Sequence, residues 1–381
     1  MRSTIDVCTH LRSSCSLRLA SMASLFDPKR AATMKKINLF AAAACFAFLL
    51  LNAASVESRK CHCDDDDNGD DSDSNDSSYK LFVFGSSYAD NGNVQKGDLK
   101  WETRTWYEPF GMSDADHDNK PTGRYSDGMV QSDFVAKIIL GQEEAPPPER
   151  VRREDGVDLS SGMNFANSNG GVLSGWNLDT QIDVFRKLLR HGIIDSKDLN
   201  RSVALVAVSG EDYADFPKKK VDQDSFIRNV TDGILEGVRQ LQDLGVDSLL
   251  VNLLPPVGCE PWNTRHNNYT KCTKDSITKA HNEYLSRELD TDDSILVLDL
   301  DTAFRSIVTP KTEKLFYHRY TPCCDNEDGF CGEVDSDGNP QYTVCDKPEE
   351  YFYWDATNPT QAGWKAVMGK LEASIKEFLD I

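Results

Sequence analysis

Apolar residues recur along this chain in two alternating patterns, short continuous runs and helical spacings, and the alternation starts at Tyr79. Residues 81–84 form a short apolar run expected as a strand, and residues 129–140 carry helical spacing. Residues 202–208, rich in valine and alanine, read as a buried strand. Residues 226–244 are an amphipathic helix closed by Gly245, and residues 248–253 a strand stopped by Pro255-Pro256. A further strand is expected over 295–300, and a last helix over 360–379 with Pro359 just before its start. Strands separated by helices predict an α/β fold, a three-layer α/β/α sandwich around a mostly parallel sheet. Functional residues are then expected on loops at the carboxyl ends of the strands.

The first 78 residues break this pattern. Met34-Lys35-Lys36, the apolar run 37–51 and the small residues Ala53, Ala54 and Ser55 have the layout of a secretory signal, and the run is short for a membrane span. The expected organisation is an upstream Arg- and Ser-rich extension (1–33), with a transit peptide as its alternative, a signal peptide (34–56), an acidic disordered linker (57–78) and one domain (79–381). Cys61-His62-Cys63 lies beside aspartates but lacks a second ligand pair at zinc spacing, so no metal is expected there.

With 381 residues, 39% hydrophobic and 27% charged, the chain is long enough for a sizeable core. A net charge of −20 and a pI near 4.8 argue against nucleic acid or anionic membrane surfaces as partners. Sequons at Asn75, Asn200, Asn229 and Asn268 fit passage through a glycosylating compartment. The eight cysteines beyond the signal suit an oxidising one. Cys259 with Cys272 would close a short loop, and Cys323, Cys324, Cys331 and Cys345 could pair among themselves. The expectation is an extracellular protein, with an endomembrane compartment as the alternative.

Chemistry concentrates in a few loops. Gly85-Ser86-Ser87-Tyr88 ends the first strand on a small-residue turn that displays a serine, the presentation a nucleophile needs, although a hydroxyl requires a base and oxyanion donors beside it. The loop 121–128 holds Arg124 and Asp127 between glycines, either ordering a rim or forming a local ion pair. Residues 162–171 make a glycine-containing loop whose N–H groups could approach a substrate oxygen. Ser209-Gly210-Glu211-Asp212 follows a buried strand, and Trp354-Asp355 precedes the last helix.

These blocks, in this order, resemble the plant GDSL esterase/lipases of the SGNH hydrolase superfamily. The resemblance runs over most of 81–379 and includes Asp90, Gly92 and Asn93 after the serine turn, Asn164-Phe165-Ala166, Pro255-Pro256-Val257-Gly258-Cys259, His281-Asn282 and Pro359-Thr360. It implies Ser87 as the nucleophile position and Asp355 as the residue orienting a base, but the base position, a histidine in that family, holds Asn358. The oxyanion hole would draw on the Ser87 N–H, on Asn169 or the adjacent Gly170 and Gly171 where the family has a glycine, and on Glu211 where it has an asparagine. Ser86 stands where the family has an aspartate.

An asparagine amide cannot accept the serine proton at neutral pH. An ionised Glu211 would repel the developing oxyanion, whereas a protonated one could donate to it. The expected function is therefore a secreted ester-hydrolase-like protein with an impaired centre, binding an ester or lipid-like ligand or a partner protein. The alternative is an active hydrolase or acyltransferase in which Glu211 serves as base for Ser87, which requires the two side chains to be within hydrogen-bond reach. Rescue by His281 or His318 is a further possibility. No cofactor is expected, because ester chemistry of this type needs only side chains and backbone N–H groups.

Overall fold

The computed structural model describes residues 79–381 apart from 174, 215–221, 311–314 and 327–328. The expectations for 1–33, 34–56 and 57–78, with Cys61, Cys63 and Asn75, lie outside the described residues. Five strands, β1 (Lys80–Gly85), β2 (Gly162–Asn164), β3 (Ser202–Ala207), β4 (Ser248–Asn252) and β5 (Ile295–Leu298), form one sheet in the order β2-β1-β3-β4-β5. Every neighbouring pair is parallel.

Alternation along each strand supplies two apolar faces. Phe82 and Phe84 of β1, Ala204 and Val206 of β3, and Leu249 and Val251 of β4 share one core with the buried sides of helices Leu178–Arg190, Gln223–Leu244 and Ile277–Leu289. Leu81, Val83, Val203, Leu205 and Leu250 face the other way, against helices Gln131–Leu140 and Gln361–Leu379. The sheet is thus covered on both sides, the three-layer sandwich the alternation predicted. In chain order the helices are α1 (Gln131–Leu140), α2 (Leu178–Arg190), α3 (Glu211–Ala214), α4 (Gln223–Leu244), α5 (Pro261–Thr264), α6 (Ile277–Leu289), α7 (Leu300–Val308) and α8 (Gln361–Leu379). Among the described residues, no helix is long and apolar enough to cross a membrane.

Three differences from the sequence pattern have local causes. The strand expected over 295–300 ends at Leu298, because the Asp299 side chain accepts the Thr302 N–H at 2.9 Å and starts α7 at Leu300. Residues 162–164, read as part of a loop, form the edge strand β2. A side chain at Gly162 would lie 2.0 Å from the Leu81 carbonyl oxygen, so the glycine is required by the close pairing with β1. Helix α2 was absent from the expected elements, although Asn177 caps it by accepting the Thr180 N–H at 3.0 Å.

The loop 121–128 is not held by an Arg124–Asp127 pair. Arg124 makes a bidentate contact with Asp133 on α1, Nε to Oδ2 and Nη2 to Oδ1 both at 2.9 Å, while Asp127 accepts the Gln361 N–H at the start of α8. The same Asp133 carboxylate accepts the Val130 and Ala145 N–H groups at 2.9 and 3.0 Å. Disulfides join Cys259 to Cys272, Cys323 to Cys345 and Cys324 to Cys331. The paired strands β6 (His318–Pro322) and β7 (Tyr351–Tyr353) lie next to this cysteine cluster. The Cys323 and Cys324 N–H groups bond to the carbonyls of Tyr353 and Trp354 at 3.0 and 2.7 Å.

Burial alone would raise the Asp133 carboxyl, but Arg124 and the backbone donors outweigh it and hold it below its usual value. A lowered carboxyl contributes stability that is present above the unfolded value of about 3.9 and lost as pH falls through the lower folded value. Arg124→Met leaves Asp133 buried and unpaired; denaturant unfolding at pH 7 is expected to show a loss of about 3–5 kcal/mol. An unchanged midpoint would show that the backbone donors suffice.

Candidate active site

The carboxyl end of β1 and the carboxyl end of β3 meet at the serine turn. Gly85 pairs with Ala207, and a side chain at Gly85 would lie 2.2 Å from the Ala207 carbonyl oxygen. Gln181 on α2 holds both polar groups of Gly85, accepting its N–H at 2.8 Å and donating to its carbonyl at 2.9 Å. Asp90 closes the turn from the other side, accepting the Gly92, Asn93 and Ser168 N–H groups at 2.8, 2.7 and 2.8 Å. This connects the serine turn to the loop that follows β2.

The Glu211 carboxyl, at the start of α3, reaches both serines. Its Oε2 accepts from Ser86 Oγ at 2.6 Å, and its Oε1 accepts from Ser87 Oγ at 2.9 Å and from the Ser87 N–H at 3.2 Å. Ser86 Oγ also lies 3.0 Å from Ser209 Oγ and accepts the Ser209 N–H at 2.9 Å. Glu211 as a residue is half-buried, but its carboxyl faces the turn, and burial raises its pKa against the opposing donors of Ser86 and Ser87. The hydrogen-bond reach between Ser87 and Glu211 on which the dyad alternative depends is therefore present.

Asp355 and Asn358 face each other across the tight turn before α8. Asn358 Nδ2 donates to Asp355 Oδ1 and Oδ2 at 3.0 and 3.2 Å, and its backbone N–H donates to Oδ1 at 2.8 Å. With the amide oriented by that carboxylate, Asn358 Oδ1 is buried with no partner among the described residues. Arg104, absent from the sequence reading, supplies the positive charge: its Nη2 lies 3.5 Å from Asp355 Oδ2, and its guanidinium stacks over Trp101 and Tyr125 at 4.0 and 4.6 Å. The Arg104 position between Trp101 and Trp106 was the available signal.

The other expected groups distribute as follows. The Asn169 N–H donates to Asn167 Oδ1 at 3.0 Å and the Gly170 N–H to the Asn167 carbonyl at 2.9 Å, so both are engaged within their own turn. Asp212 accepts the Val172 and Leu173 N–H groups at 2.8 and 2.9 Å, a structural role. His281 bonds Tyr213 Oη at 2.8 Å, and burial lowers it to about 3, while His318 stacks on Tyr351 at 4.0 Å. Among the described residues, neither histidine hydrogen-bonds Ser87.

Glu260 is a second carboxyl missed in the sequence. It is 7% exposed and its side chain has no hydrogen-bond partner among the described residues. Burial pushes its pKa well up, with Asp275, Glu211 and Asp355 adding to the shift. Its segment is tied to the aspartate turn by the Trp262 N–H, which donates to the Ala356 carbonyl at 2.9 Å.

A carboxyl raised in the folded state leaves stability intact below the unfolded Glu value of about 4.3 and lowers it progressively as pH rises toward the folded value. Glu211→Gln removes this penalty while keeping the size of the side chain. Its melting temperature relative to the wild type is expected to rise as pH goes from 4 to 7; a gap constant with pH would place the Glu211 carboxyl at its ordinary value.

The match to known proteins covers this whole unit. The family described as GDSL-like Lipase/Acylhydrolase matches residues 81–371. Two relatives from Arabidopsis thaliana are GDSL esterase/lipase At5g03610, 35% identical with 79% of this chain and 88% of that protein covered, and GDSL esterase/lipase At3g09930, 33% identical with 78% and 88% covered. The chain belongs to the GDSL-like lipase/acylhydrolase family.

Proposed function

We propose that this family member binds an ester or lipid-like ligand at the serine turn without turning it over efficiently. One atom carries the reading: Glu211 Oε1 accepts both the N–H and the Oγ–H of Ser87, and so occupies the space an ester carbonyl oxygen would need to receive the backbone donor. No imidazole stands at 358 to take the serine proton. Loss of a triad histidine has cost roughly a millionfold in turnover elsewhere, and loss of one oxyanion donor roughly a hundred- to a thousandfold.

The same groups suit holding a ligand. A protonated Glu211 offers an O–H to a carbonyl oxygen, and the orphan Asn358 Oδ1 offers an acceptor to a hydroxyl or N–H. Three disulfides and the exposure of Asn200, Asn229 and Asn268 support a secreted glycoprotein. A specific observation favours the second reading, a hydrolase or acyltransferase with a Ser-Glu dyad: the 2.9 Å contact is a proton-transfer distance. Against it, the proposed base accepts from the very donor that the oxyanion would use.

Labelling by a fluorophosphonate serine probe and turnover of p-nitrophenyl acetate separate the two. The wild type is expected to match Ser87→Ala in both; labelling that disappears in Ser87→Ala and in Glu211→Gln would instead establish the dyad. The triple substitution Asn358→His, Glu211→Asn, Asn169→Gly is expected to raise esterase activity about a hundredfold or more over the wild type, since it returns a base and an oxyanion donor. No gain in a correctly folded protein would locate the block elsewhere, with the Arg104 contact to Asp355 the first place to look.

A further inference from the structure

A cavity of about 320 Å³ opens beside the serine turn without including Ser87. It lies past the end of the edge strand β2, and its wall includes Gln95, Glu149, Arg150, Arg152, Asn167 and Trp176. The volume falls at the lower end of the roughly 300–1,000 Å³ usual for small-molecule sites. It is enough for one or two rings, and its polar groups face an apolar part of the wall made by Phe165, Trp176 and Val184.

The wall groups retain unused bonding capacity. Arg150 Nε donates to the Gly92 carbonyl at 3.0 Å, which leaves both its Nη groups without a hydrogen-bonding partner among the described residues. Asn167 Oδ1 is taken by the Asn169 N–H, which leaves the Asn167 Nδ2 donors. The Gln95 side chain makes no hydrogen bond among the described residues, and Trp176 is 46% exposed with its indole N–H unbonded. Arg152 is partly neutralised by Glu149, Nη1 to Oε1 at 2.5 Å, so two arginines stand against one carboxylate. In a chain of net charge −20 this is a local positive excess built mainly of donors.

We propose that this cavity binds a sugar acid, a hydroxylated ring bearing a carboxylate. A guanidinium with two free Nη groups matches a carboxylate in a bidentate manner. The free amides of Asn167 and Gln95 suit hydroxyls, and the half-exposed indole of Trp176 gives a flat apolar face with one polar edge against which a ring can lie. Asn167 also ties the cavity to the serine turn, since its backbone N–H donates to the Gly85 carbonyl at 2.9 Å. The two sites share a wall, but this one requires no chemistry at Ser87.

Calorimetric titration of the whole protein with digalacturonic acid, and with the neutral disaccharide galactobiose, tests the assignment. Digalacturonic acid is expected to bind saturably and galactobiose about tenfold or more weakly. Arg150→Gln is expected to cost about tenfold or more through lost charge-assisted bonds. Trp176→Ala, at an exposed position, is expected to weaken both sugars together. Glu149→Gln frees Arg152 and is expected to tighten digalacturonic acid, a gain that misfolding could not mimic. Absence of saturable binding, equal binding of the two sugars, or indifference to both Arg150→Gln and Glu149→Gln overturns the proposal. Displacement of digalacturonic acid by an equal concentration of acetate also overturns it, leaving a site for simple anions.

Discussion

The parallel register that sets Gly85 beside Ala207 is the constraint from which the rest of the site follows. Side chains in a strand alternate between faces, so a slip of one residue would exchange the two apolar faces of β1 and carry the serines away from the end of β3. The pairing leaves no room for a Cβ at Gly85, and Gln181 then secures both polar groups of that glycine from a neighbouring helix. Once the two strand ends coincide, Ser86, Ser87, Ser209 and Glu211 have to satisfy one another. Their bonds form a closed polar cluster at the edge of an apolar core.

The electrostatics of that cluster differ from those of a Ser-His-Asp centre. A serine hydrolase needs a group that takes up a proton and a place where negative charge is welcome. Here Asp355 faces an arginine and an amide, neither of which accepts a proton, while burial raises both Glu211 and Glu260, and Glu211 adds to the shift of Glu260. Burial favours their neutral forms, in which a carboxyl can act as a hydrogen-bond donor. In that form Glu211 is a donor rather than a base, and the proposed binding function rests on this difference.

Much of the fold was legible because strand and helix periods are properties of neighbouring residues: residues 202–208 and 226–244 correspond to β3 and α4 within a few positions, and Gly245 closes α4 in a left-handed conformation. What escaped depended on partners distant in the chain. The three residues of β2 are too few to show a period and are a strand only because β1 lies alongside. Arg124 was correctly singled out but paired with Asp133, since Asp127 is used to anchor α8. Ser87, Glu211, Asp355 and Asn358 were legible through resemblance, yet the sharing of one Glu211 oxygen between two groups of Ser87 is a matter of distances. Arg104 showed only its place between Trp101 and Trp106, and Glu260 carried no signal; burial is what makes them consequential.

The turn bearing Asp355 hangs by backbone bonds from two adjacent half-cystines, each of which leads into a different disulfide. That arrangement makes the local redox potential a variable of the pocket itself. The sheet contains no cysteine and would keep its register in a reducing solution, whereas the strap under Trp354 would lose its two covalent ties. One end of the pocket is therefore set by hydrophobic packing and the other by the compartment in which the protein resides.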